Sequence, residues 1–282
     1  MPFAIAVLIT CHNRKEKTLL CLQQLFKQII LIKEFSFDVY LVDDASSDGT
    51  TEAVNLIFPN VIVIKGNGNL FWNRGMHLAW SYASNLKDYD FFLWLNDDSF
   101  LEPFAMQELL ECENFKSQFV IVCGALCSAV DGTFSYGGRS SVGDNIVPNG
   151  SFQNCSFING NCVLISKRVF HLVGNLDPFY PHAIGDIDYG LRALKLGVKI
   201  ITTRKYIGFC ERNTSSPKWC SPKLNLYERL KILYSPLGYS HPFFFFRFEL
   251  KHFGLFIALK HFFTIHLRMF SPNLWRTLKN LT

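Results

Sequence analysis

Three short segments of this chain bring two carboxylates together: Asp43 and Asp44 in "LVDDASSDGT", Asp97 and Asp98 in "WLNDDS", and Asp186 and Asp188 in "GDIDYGLRALKLG". Adjacent acids at the end of a buried strand repel each other, so a compensating cation is expected beside Asp97 and Asp98. Carboxylate oxygens without paired cysteine or histidine suit Mg2+ or Mn2+. Such an ion bridges the phosphates of a nucleotide donor and neutralises them as they leave. A carboxylate on a strand tip, as at Asp44, can accept from the imide N–H of uracil or thymine. Asp186, across a metal–phosphate site, can take the proton of an attacking sugar hydroxyl. Each segment also has a plain structural reading: a strand cap, a solvated acidic loop, or acids that complement a helix N-terminus.

The elements that must position these residues follow from the apolar pattern. "FAIAVLIT" is a continuous apolar run of the kind buried on both faces of a sheet. "KEKTLLCLQQLFKQI" places Leu19, Leu22, Leu25, Phe26 and Ile29 on one helical face. Strand and helix then alternate through "FDVYLVD", "EAVNLIF", "NVIVIKG", "RGMHLAWSYASNL" and "YDFFLWLN". The pattern predicts an α/β unit with a mostly parallel sheet flanked by helices. Ligands of such sheets bind beyond the carboxyl ends of the strands. "TCHNR", "DDASSDGT", "GNGN" and "NDDS" all fall there. Within "NGNLFWNRGMHLAW", Asn67, Asn69, Trp72, Asn73 and Arg74 are expected beside a donor, with helix and core from about Gly75 onward. Asparagine and glycine let backbone approach a diphosphate closely. Trp72 could stack on a sugar, and Arg74 could pair with phosphate.

From residue 131 a glycine-rich β-excursion, "DGTFSYGGRSSVGDNIVPNG", leads back to strand, helix and strand. The expected organisation is a catalytic domain over 1–220, with a nucleotide-binding half at 1–130 and an acceptor half at 131–220. A helical, Phe-rich, basic extension follows over 221–282. In that extension the stretches free of charge and histidine, such as "ILYSPLGYS" and "FGLFIAL", do not exceed nine residues, far short of the roughly 20 residues that span a bilayer. Short helices on the main domain and on a membrane surface, through 225–282, are the expectation.

"ITCHNR", "LVDDASSDGT", "NDDS" and "GDIDYGLRALKLG" resemble, in order and spacing, the family-two inverting glycosyltransferases of the GT-A fold. The resemblance covers residues 3–215. It implies a nucleotide-sugar donor (a UDP- or dTDP-sugar), a divalent metal (Mg2+ or Mn2+), and single-displacement transfer with inversion. Carried over by position, Thr10, Asn13 and Arg14 line the nucleotide pocket and Asp44 contacts the base. Asp98 is the metal ligand, with Asp97 assisting from the ribose or metal side. Asp186 is the catalytic base, supported by Asp188 and Arg192, and His182 is a candidate contact for acceptor or phosphate. Asn69, Trp72 and Asn73 belong to the donor side. The "LFWNRG…PHAIGDIDYGLR" flavour is similar to bacterial surface-polysaccharide transferases, rhamnosyltransferase-like members included. That similarity implies a glycan or polyprenyl-diphosphate-linked acceptor. Gly185 stands where the family often carries Glu, Asn96 replaces the first acid of its DxD motif, and Cys210 and Glu211 stand where a histidine is common.

Two other classes remain open. A sugar-phosphate nucleotidyltransferase would carry a glycine-rich phosphate loop after the first strand, and "TCHNRKEK" has no glycine. A non-catalytic nucleotide- or glycan-binding relative would be supported by Gly185 and Asn96. Composition narrows the partners: a net charge of +5 is too small to argue for nucleic acid. Nine cysteines without a CxxC pair read as reduced thiols. With no basic residue ahead of the first apolar run, the expected location is cytoplasmic, peripheral on the inner face of the cell membrane.

Overall fold

The computed structural model describes residues 3–111, 119–212, 217–238 and 240–273. Two compact units are present: one comprises residues 3–178 and 185–212, the other Phe179–Ile184 together with the residues from 217 onward. The expected boundary at 220 thus falls earlier, and a six-residue piece from within the predicted acceptor half belongs with the C-terminal helices.

In the first unit, β1 (Phe3–Cys11), α1 (Lys15–Ile29), β2 (Phe35–Asp43), α2 (Thr50–Ile57), β3 (Val61–Lys65), α3 (Phe71–Leu86) and β4 (Phe91–Leu95) alternate as the apolar pattern predicts. After them come β5 (Phe100–Leu101), α4 (Ala105–Leu110), β6 (Val120–Cys127), β7 (Phe134–Tyr136), β8 (Cys162–Ser166), α5 (Lys167–Val173), α6 (Gly185–Lys195) and β9 (Lys199–Phe209). They form one sheet in the order β3-β2-β1-β4-β8-β6-β9-β5, with β7 on β6. β3, β2, β1 and β4 are all parallel. β6 and β9 are parallel as well, while β8, β7 and β5 join antiparallel. The sheet is mostly parallel with helices on both faces, as the apolar pattern predicts.

β1 shows why the run had to be apolar throughout. Ile5, Val7 and Ile9 pack on one face with Leu22 and Leu25 of α1. Ala4, Ala6 and Leu8 pack on the other with Met76, Ala79 and Trp80 of α3. Each such aliphatic side chain taken fully from water contributes about 1.5–3 kcal/mol, and the strand is held from both sides. Its carboxyl end, with those of β2 and β4, is therefore a fixed platform.

One boundary differs from the sequence reading. α3 begins at Phe71 rather than Arg74, because its N-terminal amides are capped from a distance. Asp44 Oδ2 accepts from the backbone N–H groups of Leu70 and Phe71 at 2.9 Å each. Trp72, Asn73 and Arg74 therefore lie on the first helical turn, not in the loop before it.

The second unit contains a 3-10 turn at Lys218–Cys220, then α7 (Leu226–Leu233), α8 (Pro242–His252) and α9 (Leu255–Phe270). Trp219, Leu233, Ile265 and Met269 form its small core. Among the described residues no helix is long and apolar enough to cross a membrane. Residues 274–282 of the predicted extension lie outside the described residues.

Candidate active site

The carboxyl ends of β1, β2 and β4 converge on one polar cluster. Asn13, just past β1, ties this corner together: its backbone N–H donates to Ser46 Oγ at 2.9 Å, and its Oδ1 accepts from the Ser47 amide at 2.7 Å. His12 Nδ1 lies 2.6 Å from the Asp44 carbonyl oxygen. Asn13, Ala45 and Phe71 all have positive φ, at 50°, 59° and 56°. Backbone strain of this kind persists only where the surroundings over-determine it, and it gathers at functional sites.

Asp43 and Asp44 divide the work at the tip of β2. Asp43 is bonded by the Ser46 amide at 2.9 Å and by the Thr51 hydroxyl, so it shapes the turn into α2. Asp44 Oδ1 accepts from Gly68 N–H at 2.7 Å, while Oδ2 takes the two amides of Leu70 and Phe71. Three backbone donors thus fold the 66–71 loop around a carboxylate that is 3% exposed. A carboxylate has about four lone-pair sites, which leaves Oδ1 a single free acceptor position for the base contact expected of Asp44. In that loop the Asn69 amide closes a local turn on Asn67 Oδ1 at 2.9 Å.

At the end of β4 the expected compensating cation is a side chain. Arg14 Nη1 lies 3.0 Å from Asp97 Oδ1 and 2.8 Å from Asp98 Oδ2. Burial pushes the Asp97 carboxyl up to about 7, Arg14 pulls against that shift, and Asp98 adds to it. Asp97 Oδ2 is buried without a hydrogen-bond partner. Cys210 Sγ lies 3.7 Å from Asp98 Oδ1, so the thiol does reach the acidic corner from the end of β9. No group of three or more metal-ligating side chains occurs among the described residues. Two hard carboxylates and an orphaned buried oxygen nevertheless fit Mg2+ or Mn2+, which commonly rest on one or two carboxylates and take the remaining ligands from substrate phosphate and water.

Asp186 lies on the first turn of α6, half-buried. Its Oδ2 accepts from Gly160 N–H at 2.9 Å and its Oδ1 from the Ile187 amide at 2.8 Å. Burial raises its pKa above the ordinary carboxylate value, and these two amides oppose the rise. Two residues on, the wholly buried Asp188 pairs with Arg192 Nε at 2.8 Å. Arg192 also donates to the carbonyls of Val173 and Asn175 at 2.7 and 2.9 Å, fastening the segment ahead of α6.

A chain of contacts runs between the two acidic corners. Trp72 Nε1 donates to Asn96 Oδ1 at 2.6 Å. A Cβ on Gly160 would lie 2.3 Å from the Trp72 ring, so only glycine lets this loop close on the indole while presenting its amide to Asp186.

The sequence model of glycosyl transferase family 2 matches residues 6–174, from within β1 to just past α5. The chain belongs to glycosyl transferase family 2. Among solved structures this family 2 transferase is similar to the mannosyltransferase PcManGT from Pyrobaculum calidifontis, in complex with GDP-Man and Mn2+. The TM-score is 0.55 at 13% identity, covering 100% of this chain and 81% of that one, a likeness of fold alone. No significant match is found among curated proteins. The family match ends before Asp186, Asp188 and Arg192, so their placement rests on the geometry just described.

In this family 2 transferase, Thr10, Asn13, Arg14, Asp44, Asn69, Asp97 and Asp98 all lie at the strand ends. Thr10 is 7% exposed, and its Oγ1 would be 2.3 Å from a Cβ on Gly75, so α3 crosses β1 closely there. Asn73 is a correction: it is fully buried, its Nδ2 donates to the Asp177 carbonyl at 2.8 Å, and it is scaffold rather than a donor contact. Its neighbour explains a departure from the family pattern, since a Cβ at position 185 would fall 1.8 Å from Asn73 Oδ1. Gly185 is therefore a packing requirement and carries no argument for lost chemistry. Asn96 is likewise explained, its neutral amide accepting the indole N–H. Arg74 Nε donates to the Pro178 carbonyl at 2.8 Å, which anchors it on protein. His182 falls in Phe179–Ile184 and belongs to the second unit.

Gly160 is a further residue of the site, and the sequence carries a signal for it: "NGN" occurs at 67–69 and again at 159–161. In both, the central glycine presents its amide to an aspartate, Gly68 to Asp44 and Gly160 to Asp186.

Proposed function

We propose that this protein transfers a sugar from a nucleotide diphosphate sugar to an acceptor hydroxyl, with inversion and with Asp186 as general base. The observation that carries the reading is the placement of Asp186: a half-buried carboxylate of raised pKa, fixed by two backbone amides and joined through Gly160, Trp72 and Asn96 to the acidic corner. The raised pKa brings the base nearer to neutral pH, where proton abstraction is most effective. Thr10, Asn13 and the Asp44-held loop frame the nucleotide, and the half-buried Trp72 is assigned to the sugar. Asp98, with Asp97, would hold Mg2+ or Mn2+, whose positive charge would offset the leaving diphosphate. Asp188 and Arg192 hold α6 and the preceding segment in register. The acceptor class favoured is a glycan or a polyprenyl-diphosphate-linked glycan of bacterial surface-polysaccharide synthesis, with a UDP- or dTDP-sugar as donor.

The membrane part of this reading is supported by α9. Leu255, Phe256, Leu259, Phe263, Leu267 and Phe270 are all exposed, Phe256 by 90% and Phe263 by 66%. Exposed Lys251 and Lys260 accompany them. Over 240–282 the sequence carries six Lys or Arg against one acid, so the whole net charge of +5 resides there. An apolar helix face with basic neighbours suits an anionic bilayer surface, consistent with a peripheral, cytoplasmic-face location. Full-length protein should float with vesicles rich in phosphatidylglycerol, and Phe256→Ser with Phe263→Ser should abolish it; flotation unchanged by that pair would remove this part.

The test of the chemistry is Asp186→Asn in a donor-plus-acceptor assay. Turnover should fall by about 10²–10⁴ with donor binding retained. Near-normal transfer would remove Asp186 from the role.

A further inference from the structure

We propose that Arg14 is a built-in counter-ion occupying the cation position of the Asp97–Asp98 pair, which must be vacated before a divalent cation is seated. The consequence is an order of binding: free metal is excluded, and metal enters together with a nucleotide diphosphate. This rests on the reading of the β4 end as the donor site.

Three observations carry it. One nitrogen, Nη1, contacts both acids at 3.0 and 2.8 Å, so the guanidinium lies where their fields add. Its hold is light, because Nη1 alone makes both contacts and the Arg14 side chain is 48% exposed. The pair it neutralises is not satisfied, since Asp97 is 4% exposed and its Oδ2 has no hydrogen-bond partner. A saturated structural bridge would leave no such orphan.

Competition then follows from elementary electrostatics. A tethered cation acts at an effective concentration of mM or more. A free divalent ion must displace it and also give up its own water, which Mg2+ does reluctantly. A nucleotide diphosphate changes both terms. It supplies oxygen ligands to the ion, and it offers the displaced guanidinium an anion that it can grip with two N–H groups. Arg14 thereby moves from carboxylates to phosphate, with its charge compensated in both positions. The donor pocket stays neutralised while empty and does not fill with bare metal.

The experiment is Mn2+ binding to full-length protein without nucleotide, read from the paramagnetic resonance signal of the free aquo ion. Wild type should bind Mn2+ weakly. Arg14→Ala and Arg14→Gln should each bind it at least tenfold more tightly, and adding Asp98→Asn should erase the gain. Arg14→Gln keeps a polar stem, so the measurement survives if the alanine variant folds poorly. Equal affinity in wild type and both variants overturns the proposal, as does a gain that persists in the Asp98→Asn background. A parallel arm separates this from the donor-site reading. If none of UDP, dTDP and GDP with Mn2+ raises the melting midpoint of wild type, that reading fails, while the Mn2+ comparison among variants still decides the role of Arg14.

Discussion

Two clusters in this protein place one arginine between two acids, and they are built for opposite purposes. Arg204 on β9 meets Glu108 and Glu111 of α4 and its flank with three of its nitrogens. Its Nε lies 3.0 and 3.2 Å from the two Glu108 oxygens, its Nη2 is 2.6 Å from each glutamate, and its own backbone N–H adds a bond of 2.8 Å. Its guanidinium also rests over the Phe152 ring at 5.0 Å. Arg14 holds Asp97 and Asp98 with one nitrogen and leaves a buried oxygen unpaired. The Arg204 cluster locks α4 to the sheet. The Arg14 cluster, at the converging ends of parallel strands, holds a charge balance that a ligand can exchange. Saturation therefore separates scaffold from site more sharply than the mere presence of an ion pair.

The sharpest way to break the comparison is to remove each arginine and measure stability. Arg204→Ala strands Glu108, which is 2% exposed. Loss of one partner of a buried pair costs about 3–5 kcal/mol, and partial exposure of Arg204 reduces the expectation to roughly 2–4 kcal/mol. Arg14→Ala should cost about 1 kcal/mol or less, because Arg14 is half exposed and Asp97 can take up a proton in compensation. Equilibrium denaturation of the two variants reads this directly. Equal losses would remove the distinction between a locked and an exchangeable cluster.

A smaller effect lies in the pH dependence of transfer. As the proposed base, Asp186 would have to be ionised to act, and burial holds its pKa above the ordinary value. The acid limb of the rate profile should therefore lie above the usual aspartate range and be absent from the residual rate of Asp186→Asn. The stability linkage has the opposite sense. Between the unfolded and folded pKa values the folded chain binds more protons, so the contribution of Asp186 to stability falls as pH rises through that interval. An acid limb at the unperturbed aspartate value would show that its surroundings do not tune it.

Much of this was legible in the sequence. The run from Lys15 to Ile29 declares its helix by apolar spacing, and that helix spans those same residues. The four polar strand ends follow from alternation of strand and helix, and the repulsion between Asp97 and Asp98 announces a cation. The identity of that cation was not legible, because Arg14 reaches the pair from 83 residues away through the parallel neighbours β1 and β4. The start of α3 was hidden for the same reason. "NLFWN" has no capping side chain at the helix start, and the cap is supplied by Asp44 on another strand. Local patterns report local bonds; charges and caps exchanged between strand ends depend on register. Gly160 and Gly185 show the complement, where close approach to Trp72 and Asn73 is what requires the glycine.

The central claim is that the ends of β1, β2 and β4 bind a nucleotide diphosphate sugar with Asp98 holding its metal. The most direct measurement is a thermal-shift panel of UDP-, dTDP- and GDP-sugars, each with and without Mn2+, on wild type and Asp98→Asn. A ligand at a hundred times its Kd stabilises by about 2.7 kcal/mol. One nucleotide class should raise the wild-type midpoint only with Mn2+ and leave Asp98→Asn unmoved. No shift with any donor, or an equal shift in the two proteins, would contradict the account.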